Sequence, residues 1–173
     1  MSHVHEGQCD CGETRYRLHD LPLIVHACHC RACQRQTGST NVVNYLIEKH
    51  KVELLSGNVI EHESKTPSGS GQVITRCANC MTAVWSEYLI FAKLRDAPTL
   101  FIRAGTLDHP ELFPPDVHIF TETKQPHLKI CESSEVYSKF YNIPEVWTPH
   151  SLARLRAMQE TVSSLKEPSE VRP

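Results

Sequence analysis

The sequence predicts a mainly β fold with one amphipathic helix near the C-terminal end. Hydrophobic residues recur at every second position in many short segments, the pattern of strands with one buried face. Turn-forming residues separate these segments, and many short strands with such punctuation are typical of an all-β barrel or sandwich. Near the end of the chain the apolar spacing changes to three and four residues, which indicates a helix.

The predicted strands are short and closely spaced. They cover residues 14–18, 41–47, 52–55, 72–75, 83–85 and 99–103. Clusters rich in Gly, Pro, Ser, Asn and Asp lie between them, at residues 56–58, 66–71, 96–98 and 108–115. Because these residue types favour tight turns, each cluster is expected to end a strand and reverse the chain.

The C-terminal helix is predicted from an apolar stripe. Its members are Leu152, Leu155, Met158, Val162 and Leu165. Thr148 is the expected N-cap, with Pro149 at the first helical position. We expect the stripe to pack on the β domain, with self-association into a homodimer as the alternative. The predicted organisation is therefore a β domain over 3–147, a helix over 148–166 and a disordered tail over 167–173.

Composition excludes several classes of partner. The chain of 173 residues has 18 basic and 20 acidic residues, and it has no run of five like charges, which argues against binding nucleic acid. Its apolar stretches are shorter than the roughly 18 residues of a membrane span. The N-terminal residues lack the pattern of a secretory signal, so a cytoplasmic location and no membrane partner are expected.

Cysteine usage is the most informative feature of the sequence. The chain has eight cysteines, and disulfides are rare in reducing compartments, which favours metal binding or catalysis. Seven of them form three clusters: Cys9 and Cys11; Cys28, Cys30 and Cys33; and Cys77 and Cys80. A C-x-C pair in an extended segment places both sulfur atoms on one face, and a C-x-x-C pair does so across a turn. Each cluster can therefore supply neighbouring sulfur ligands to a tetrahedral zinc ion.

The three clusters divide naturally into two sites. The first and third clusters together supply the four sulfur ligands of a closed, structural zinc site. The middle cluster supplies three ligands, which leaves one position of a tetrahedral ion open to a substrate. Spacing alone does not fix this pairing, since His29 or Cys131 is an alternative fourth ligand for the middle cluster. Disulfides, a redox C-x-x-C pair and an iron–sulfur cluster are the other uses of such cysteines.

The order of the motifs resembles a known family. The motifs are Gly7-x-Cys9-x-Cys11-Gly12, Cys28-His29-Cys30-x-x-Cys33, Cys77-x-x-Cys80, Asp108 with Pro110, and His118-Ile119-Phe120. Over residues 3–130 they resemble the family of glutathione-dependent formaldehyde-activating enzymes and centromere protein V. The resemblance implies an Mss4-like fold of antiparallel sheets forming an open barrel or tent, with two Zn²⁺ ions per chain. It assigns the structural ion to the first and third clusters and the catalytic ion to the middle cluster.

The resemblance also implies a reaction. The named activity of the family joins formaldehyde and glutathione into S-hydroxymethylglutathione, and the reverse direction is a carbon–sulfur lyase. Arg31 and Arg35 flank the middle cluster and are the candidate contacts to glutathione carboxylates. The alternative function is a noncatalytic zinc-binding interaction module, as the centromere protein branch suggests; a zinc hydrolase is a third class.

Several single residues carry further expectations. His29 should pack or donate a hydrogen bond instead of binding metal, because it lies between two ligands and faces away from them. Cys131 is expected to be a small core residue, and Trp85 and Trp147 are expected to fill the core. Met81 follows Cys80 where the family usually has Gly, so the turn after this cluster is expected to be strained or differently shaped.

Overall fold

The computed structural model describes residues 4–166, apart from the side chains of residues 93–95. Within this range eleven strands and four α-helices follow one another. The strands are β1 His5–Gln8, β2 Arg15–Leu18, β3 Ile24–Cys28, β4 Val42–Glu48, β5 Val52–Ser56, β6 Val59–Ser64, β7 Gln72–Cys77, β8 Ala83–Tyr88, β9 Thr99–Arg103, β10 Val117–Ile119 and β11 Glu135–Val136. The helices are α1 Arg31–Thr37, α2 Leu89–Arg95, α3 Ile143–Val146 and α4 Pro149–Lys166.

The strands form two open sheets. The larger sheet has the order β11-β10-β3-β4-β9-β8-β7-β6, and the smaller sheet has the order β1-β2-β5. Within residues 4–166 both sheets end in unpaired edge strands, so the protein has the predicted open form and not a closed barrel. The sheets are antiparallel as predicted except at one place, where β10 runs parallel to both β3 and β11. The connection from β9 to β10 passes over the positions of β4 and β3 in the sheet, and such a crossover allows this direction.

The two central strands are buried on both faces. On β4, Leu46 belongs to one hydrophobic cluster and Tyr45 to the other. On β9, Phe101 belongs to the first cluster and Ile102 to the second. Because neighbouring side chains of a strand point to opposite faces, β4 and β9 lie between two cores. One core is covered by α4, and the other by the smaller sheet through Tyr16.

The C-terminal helix packs on the β domain, as the sequence predicts. The Thr148 hydroxyl oxygen accepts a hydrogen bond from the Ser151 amide at 3.1 Å, which caps the helix at the predicted position. Leu155 and Met158 are buried in the first core, whereas Leu165 is 80% exposed. The stripe therefore covers the sheet over its first turns only. The predicted tail over 167–173 lies outside the described residues.

Three helices were not predicted. Helices α1 and α2 have seven residues each and α3 has four, and such short segments complete two turns or fewer. Apolar periodicity cannot be recognised over such a length. None of the helices in residues 4–166 is long and apolar enough to cross a membrane.

Candidate functional site

The first and third cysteine clusters meet in space. Cys9 and Cys11 lie in the turn after β1, whereas Cys77 ends β7 and Cys80 precedes β8. The four sulfur atoms lie within 4.8 Å of one another. Cys11 Sγ lies 3.5 Å from Cys9 Sγ and 3.8 Å from Cys77 Sγ. A tetrahedral ion with metal–sulfur bonds of about 2.3 Å requires sulfur–sulfur distances of about 3.8 Å, so this cluster fits a metal ion.

Tight turns, and not the alternation of side chains along a strand, bring the sulfur atoms together within each of these two clusters. Strand β1 ends before Cys9, so the prediction that the C-x-C pair lies in an extended segment was wrong. The Gly12 amide donates to the Cys9 carbonyl at 3.1 Å, and Gly12 has a φ of 78°. The Met81 amide donates to the Cys77 carbonyl in the same way, and Met81 has a φ of 64°. Met81 thus adopts the left-handed conformation that normally favours glycine.

Polar groups lie beside two of these sulfur atoms. The Thr14 amide donates to Cys9 Sγ at 3.3 Å. The Thr82 hydroxyl oxygen lies 3.2 Å from Cys80 Sγ, and hydrogen bonding to Thr82 lowers the pKa of the Cys80 thiol to about 6. Hydrogen bonds to thiolate sulfur are typical of the shell around a bound metal ion.

The middle cluster lies where β3 passes into α1. Cys28 is the last residue of β3, Cys30 is the N-cap of α1, and Cys33 lies in its first turn. Their sulfur atoms lie within 4.8 Å of one another, and the Cys33 amide donates to Cys30 Sγ at 3.4 Å. Among residues 4–166 no fourth Cys, His, Asp or Glu joins this group. Cys28 and Cys33 are buried, whereas Cys30 is partly exposed.

The three thiols share their charge unequally. Hydrogen bonds from Cys28 and Cys33 lower the pKa of Cys30 to about 2. Hydrogen bonding to Cys30 and Cys33, together with burial, raises the pKa of Cys28 far above its ordinary value. The cluster by itself therefore does not favour the ionisation of all three thiols. Ionisation of all three thiols requires a cation among them, because three neighbouring negative charges repel one another.

A hydroxyl group and a pair of histidines surround the middle cluster. The Tyr88 hydroxyl oxygen lies 3.8 Å from Cys33 Sγ. His29 is fully buried, and its Nε2 atom lies 2.9 Å from Nδ1 of His118. Burial, with the nearby charges of His118 and Lys124, lowers the pKa of His29 to about 4. His29 thus packs and forms a hydrogen bond as predicted, whereas no sequence motif had indicated Tyr88.

The two predicted arginines line a groove beside α1. This groove has a volume of about 440 Å³, and its lining includes Arg31, Arg35, Gln34 and Gln125. None of the three cysteines of the middle cluster lines it. The Arg31 Nη1 group donates to the Gln34 side-chain oxygen at 3.0 Å. A role of Arg31 and Arg35 in binding glutathione therefore stays a prediction.

Cys131 lies apart from both clusters. It was expected in the core but is exposed, and its sulfur atom lies 3.1 Å from the Ser133 hydroxyl oxygen. The expectation was wrong because its neighbours form a polar turn that leaves the side chain in solvent. Trp147 is buried in the first core, and Trp85 packs edge-on against Tyr16 in the second, as predicted.

Comparisons with known proteins identify a family for the chain. The model of a family described as glutathione-dependent formaldehyde-activating enzyme matches residues 4–123, which include both clusters. A crystal structure of a Rhodobacter sphaeroides protein, a structural genomics target, is similar with a TM-score of 0.44. It has 14% sequence identity over 60% of this chain and 87% of that chain. No curated protein matches the chain. Since the family model covers well over half of the sequence, the chain belongs to the glutathione-dependent formaldehyde-activating enzyme family.

Proposed function

We propose that this protein is a zinc-dependent carbon–sulfur lyase acting on glutathione or a glutathione–aldehyde adduct, such as S-hydroxymethylglutathione. The observation that carries the proposal is the difference between the two clusters. One group has four sulfur atoms and can close the shell of a tetrahedral ion, whereas the other has three. A site with three protein ligands keeps one position for a substrate.

In the forward reaction the thiol sulfur adds to the aldehyde carbon. A carbon–sulfur bond forms, the thiol proton is transferred to the carbonyl oxygen, and no oxidant or reductant is needed. When bound by Cys28, Cys30 and Cys33, zinc would stabilise the substrate thiolate and polarise the aldehyde. Burial, together with the charge of Cys33, raises the pKa of Tyr88 well above its ordinary value. Tyr88 therefore stays protonated near the reacting groups and can donate a hydrogen bond to the aldehyde oxygen.

The four-cysteine site has a structural role in this proposal. It joins the turn after β1 to the β7–β8 turn, and so connects the smaller sheet to the larger one. A second zinc ion at this site would stabilise the fold without contacting the substrate.

The test is the exchange of formaldehyde and glutathione with their adduct, measured by NMR exchange spectroscopy on zinc-loaded protein. The variant Cys30→Ser should lose the acceleration and one equivalent of zinc, while its circular dichroism spectrum stays unchanged. Cys131→Ser is the matched control, because Cys131 is exposed and lies outside both groups. The proposal fails if the zinc-loaded protein does not accelerate exchange, or if Cys30→Ser keeps full activity.

A further inference from the structure

Arg103, at the end of β9, is a buried arginine without an acidic partner. Arg103 is only 7% exposed. Nη1 donates to the Asn44 side-chain oxygen at 2.7 Å, while Nε is buried and has no hydrogen-bond partner. None of the ion pairs within residues 4–166 includes Arg103. A guanidinium group withdrawn from water without a counter-ion is unfavourable, so an anion bound beside it would be stabilised.

Arg103 lines a groove that is separate from the groove beside Arg31. The Arg103 groove has a volume of about 370 Å³, and its lining includes Arg76, Gln36 and Gly105. No Asp or Glu lines it. Arg76 forms no ion pair within residues 4–166, and its Nη1 group donates to the Met81 carbonyl oxygen at 2.9 Å. The groove therefore carries two positive charges and suits a negatively charged group.

The Arg103 groove adjoins the three-cysteine cluster. Val42 lines the groove and is the register partner of Cys28 on the neighbouring strand. Thr37 also lines it, and the Thr37 hydroxyl donates to the Cys33 carbonyl at 2.9 Å. A ligand in the groove would thus lie beside two elements that carry the cluster.

We propose that the Arg103 groove binds a carboxylate group of the thiol substrate while its sulfur atom lies at the three-cysteine cluster. The inference rests on the proposed function for the identity of this substrate. A carboxylate matches the planar donors of a guanidinium group, and within the described part of the chain only one of the five N–H donors of Arg103 has a protein acceptor. The substrates expected are thiols with a carboxylate, and neutral thiols should bind more weakly.

Gly105 allows a test that leaves Arg103 intact. A β-carbon built on Gly105 meets nothing within 4 Å, and its backbone needs no left-handed conformation. Gly105→Asp would place a competing carboxylate in the groove, and Gly105→Asn is the matched neutral control of the same size. The probes are S-methylglutathione, which has no free thiol, and its diethyl ester. Binding of each to the zinc-loaded full chain is measured by isothermal titration calorimetry.

We expect Gly105→Asp to bind S-methylglutathione at least about tenfold more weakly than Gly105→Asn does. The wild-type protein should bind the diethyl ester at least about tenfold more weakly than the diacid, and Gly105→Asp should not weaken ester binding further. Equal binding of diacid and ester by the wild-type protein would overturn the proposal. So would equal binding of the diacid by the two Gly105 variants.

Arg103→Lys gives a second readout. It should weaken diacid binding but leave zinc content unchanged, because lysine keeps the charge and lacks the planar donors. Arg103→Lys could instead lose zinc and still bind diacid and ester as the wild-type protein does. Arg103 would then be a counter-charge for the thiolates, and the proposal would be wrong.

The proposed function and the proposed carboxylate site can fail separately. If the protein binds the diacid more tightly than the ester but has no lyase activity, only the proposed function is refuted. If it has lyase activity but binds diacid and ester equally, only the carboxylate site is refuted.

Discussion

The sulfur atoms of Cys11 and Cys77 lie 3.8 Å apart, although the two residues are 66 positions apart in the sequence. Cys11 follows a strand of the smaller sheet, and Cys77 ends a strand of the larger one. The contact therefore crosses between the two sheets. A metal ion shared by these residues would close a long loop, and its binding energy would add to the folding energy.

Cys77→Ser should remove the metal ion from the four-cysteine site and destabilise the fold. We expect a loss of about 3 kcal/mol or more in the free energy of unfolding, since structural zinc sites contribute strongly to folding. Urea denaturation with parallel metal analysis would measure both effects. Cys131→Ser is the control and should change neither stability nor zinc content, because Cys131 is exposed. Full stability of Cys77→Ser after complete zinc loss would show that this site is not structural.

Met81→Gly should stabilise the protein by about 0.5–1 kcal/mol, because glycine adopts a positive φ without steric strain. Met81 has a φ of 64° and is 49% exposed, so removing its side chain gives up little buried area. The backbone hydrogen bonds of this turn do not depend on the side chain. The midpoint of urea denaturation at a fixed zinc concentration reports the change. Met81→Ala keeps the β-carbon and should differ from wild type by less than about 0.5 kcal/mol; a lower midpoint for Met81→Gly would contradict this reasoning.

Tyr141→Phe should destabilise the core by about 2–4 kcal/mol, because two buried polar atoms would lose their partner. The Trp147 indole N–H donates to the Tyr141 hydroxyl oxygen at 2.7 Å, and that oxygen lies 2.5 Å from His26 Nε2. All three side chains are buried. Tyr137→Phe is the matched control, since the Tyr137 hydroxyl donates to Glu135 at the surface, and it should cost less than about 0.5 kcal/mol. Equal losses in the two variants, measured by thermal or urea denaturation, would refute the importance of the buried chain of hydrogen bonds.

Arg154→Met should loosen the C-terminal helix. Arg154 forms a bidentate ion pair with Glu48 at 2.8 and 2.5 Å, and the Glu48 side chain is only 3% exposed. Loss of the guanidinium group would leave a buried carboxylate poorly compensated, at about 3 kcal/mol of unfolding free energy. Lys49→Met breaks a surface pair whose lysine is 55% exposed, and should cost less than about 1 kcal/mol. Denaturation monitored by helical circular dichroism would compare the two, and a larger loss for Lys49→Met would contradict the prediction.

Much of the β structure could be predicted because it is encoded locally. Strand β9 was predicted with its observed boundaries, since a short run of apolar residues directly after the turn residues 96–98 defines it. Strand β10 was missed, because its three residues are too few to show a period and its pairing is decided by β3. Helix α1 was missed for a related reason. Its seven residues include Cys33 of the middle cluster and Arg31 beside it, and they carry no apolar stripe.

The candidate site, like the fold, could be predicted only in part. Spacing was enough to identify which cysteines act together within each cluster, because residues two or three positions apart are necessarily close. The union of Cys9 and Cys11 with Cys77 and Cys80 was predicted but not fixed by spacing, and only the folded chain shows it, since the packing of two sheets brings these turns together. Tyr88, beside Cys33, and Arg103, in the proposed carboxylate groove, could not be identified from the sequence. Their importance follows from burial and from neighbours distant in sequence, which local patterns do not record.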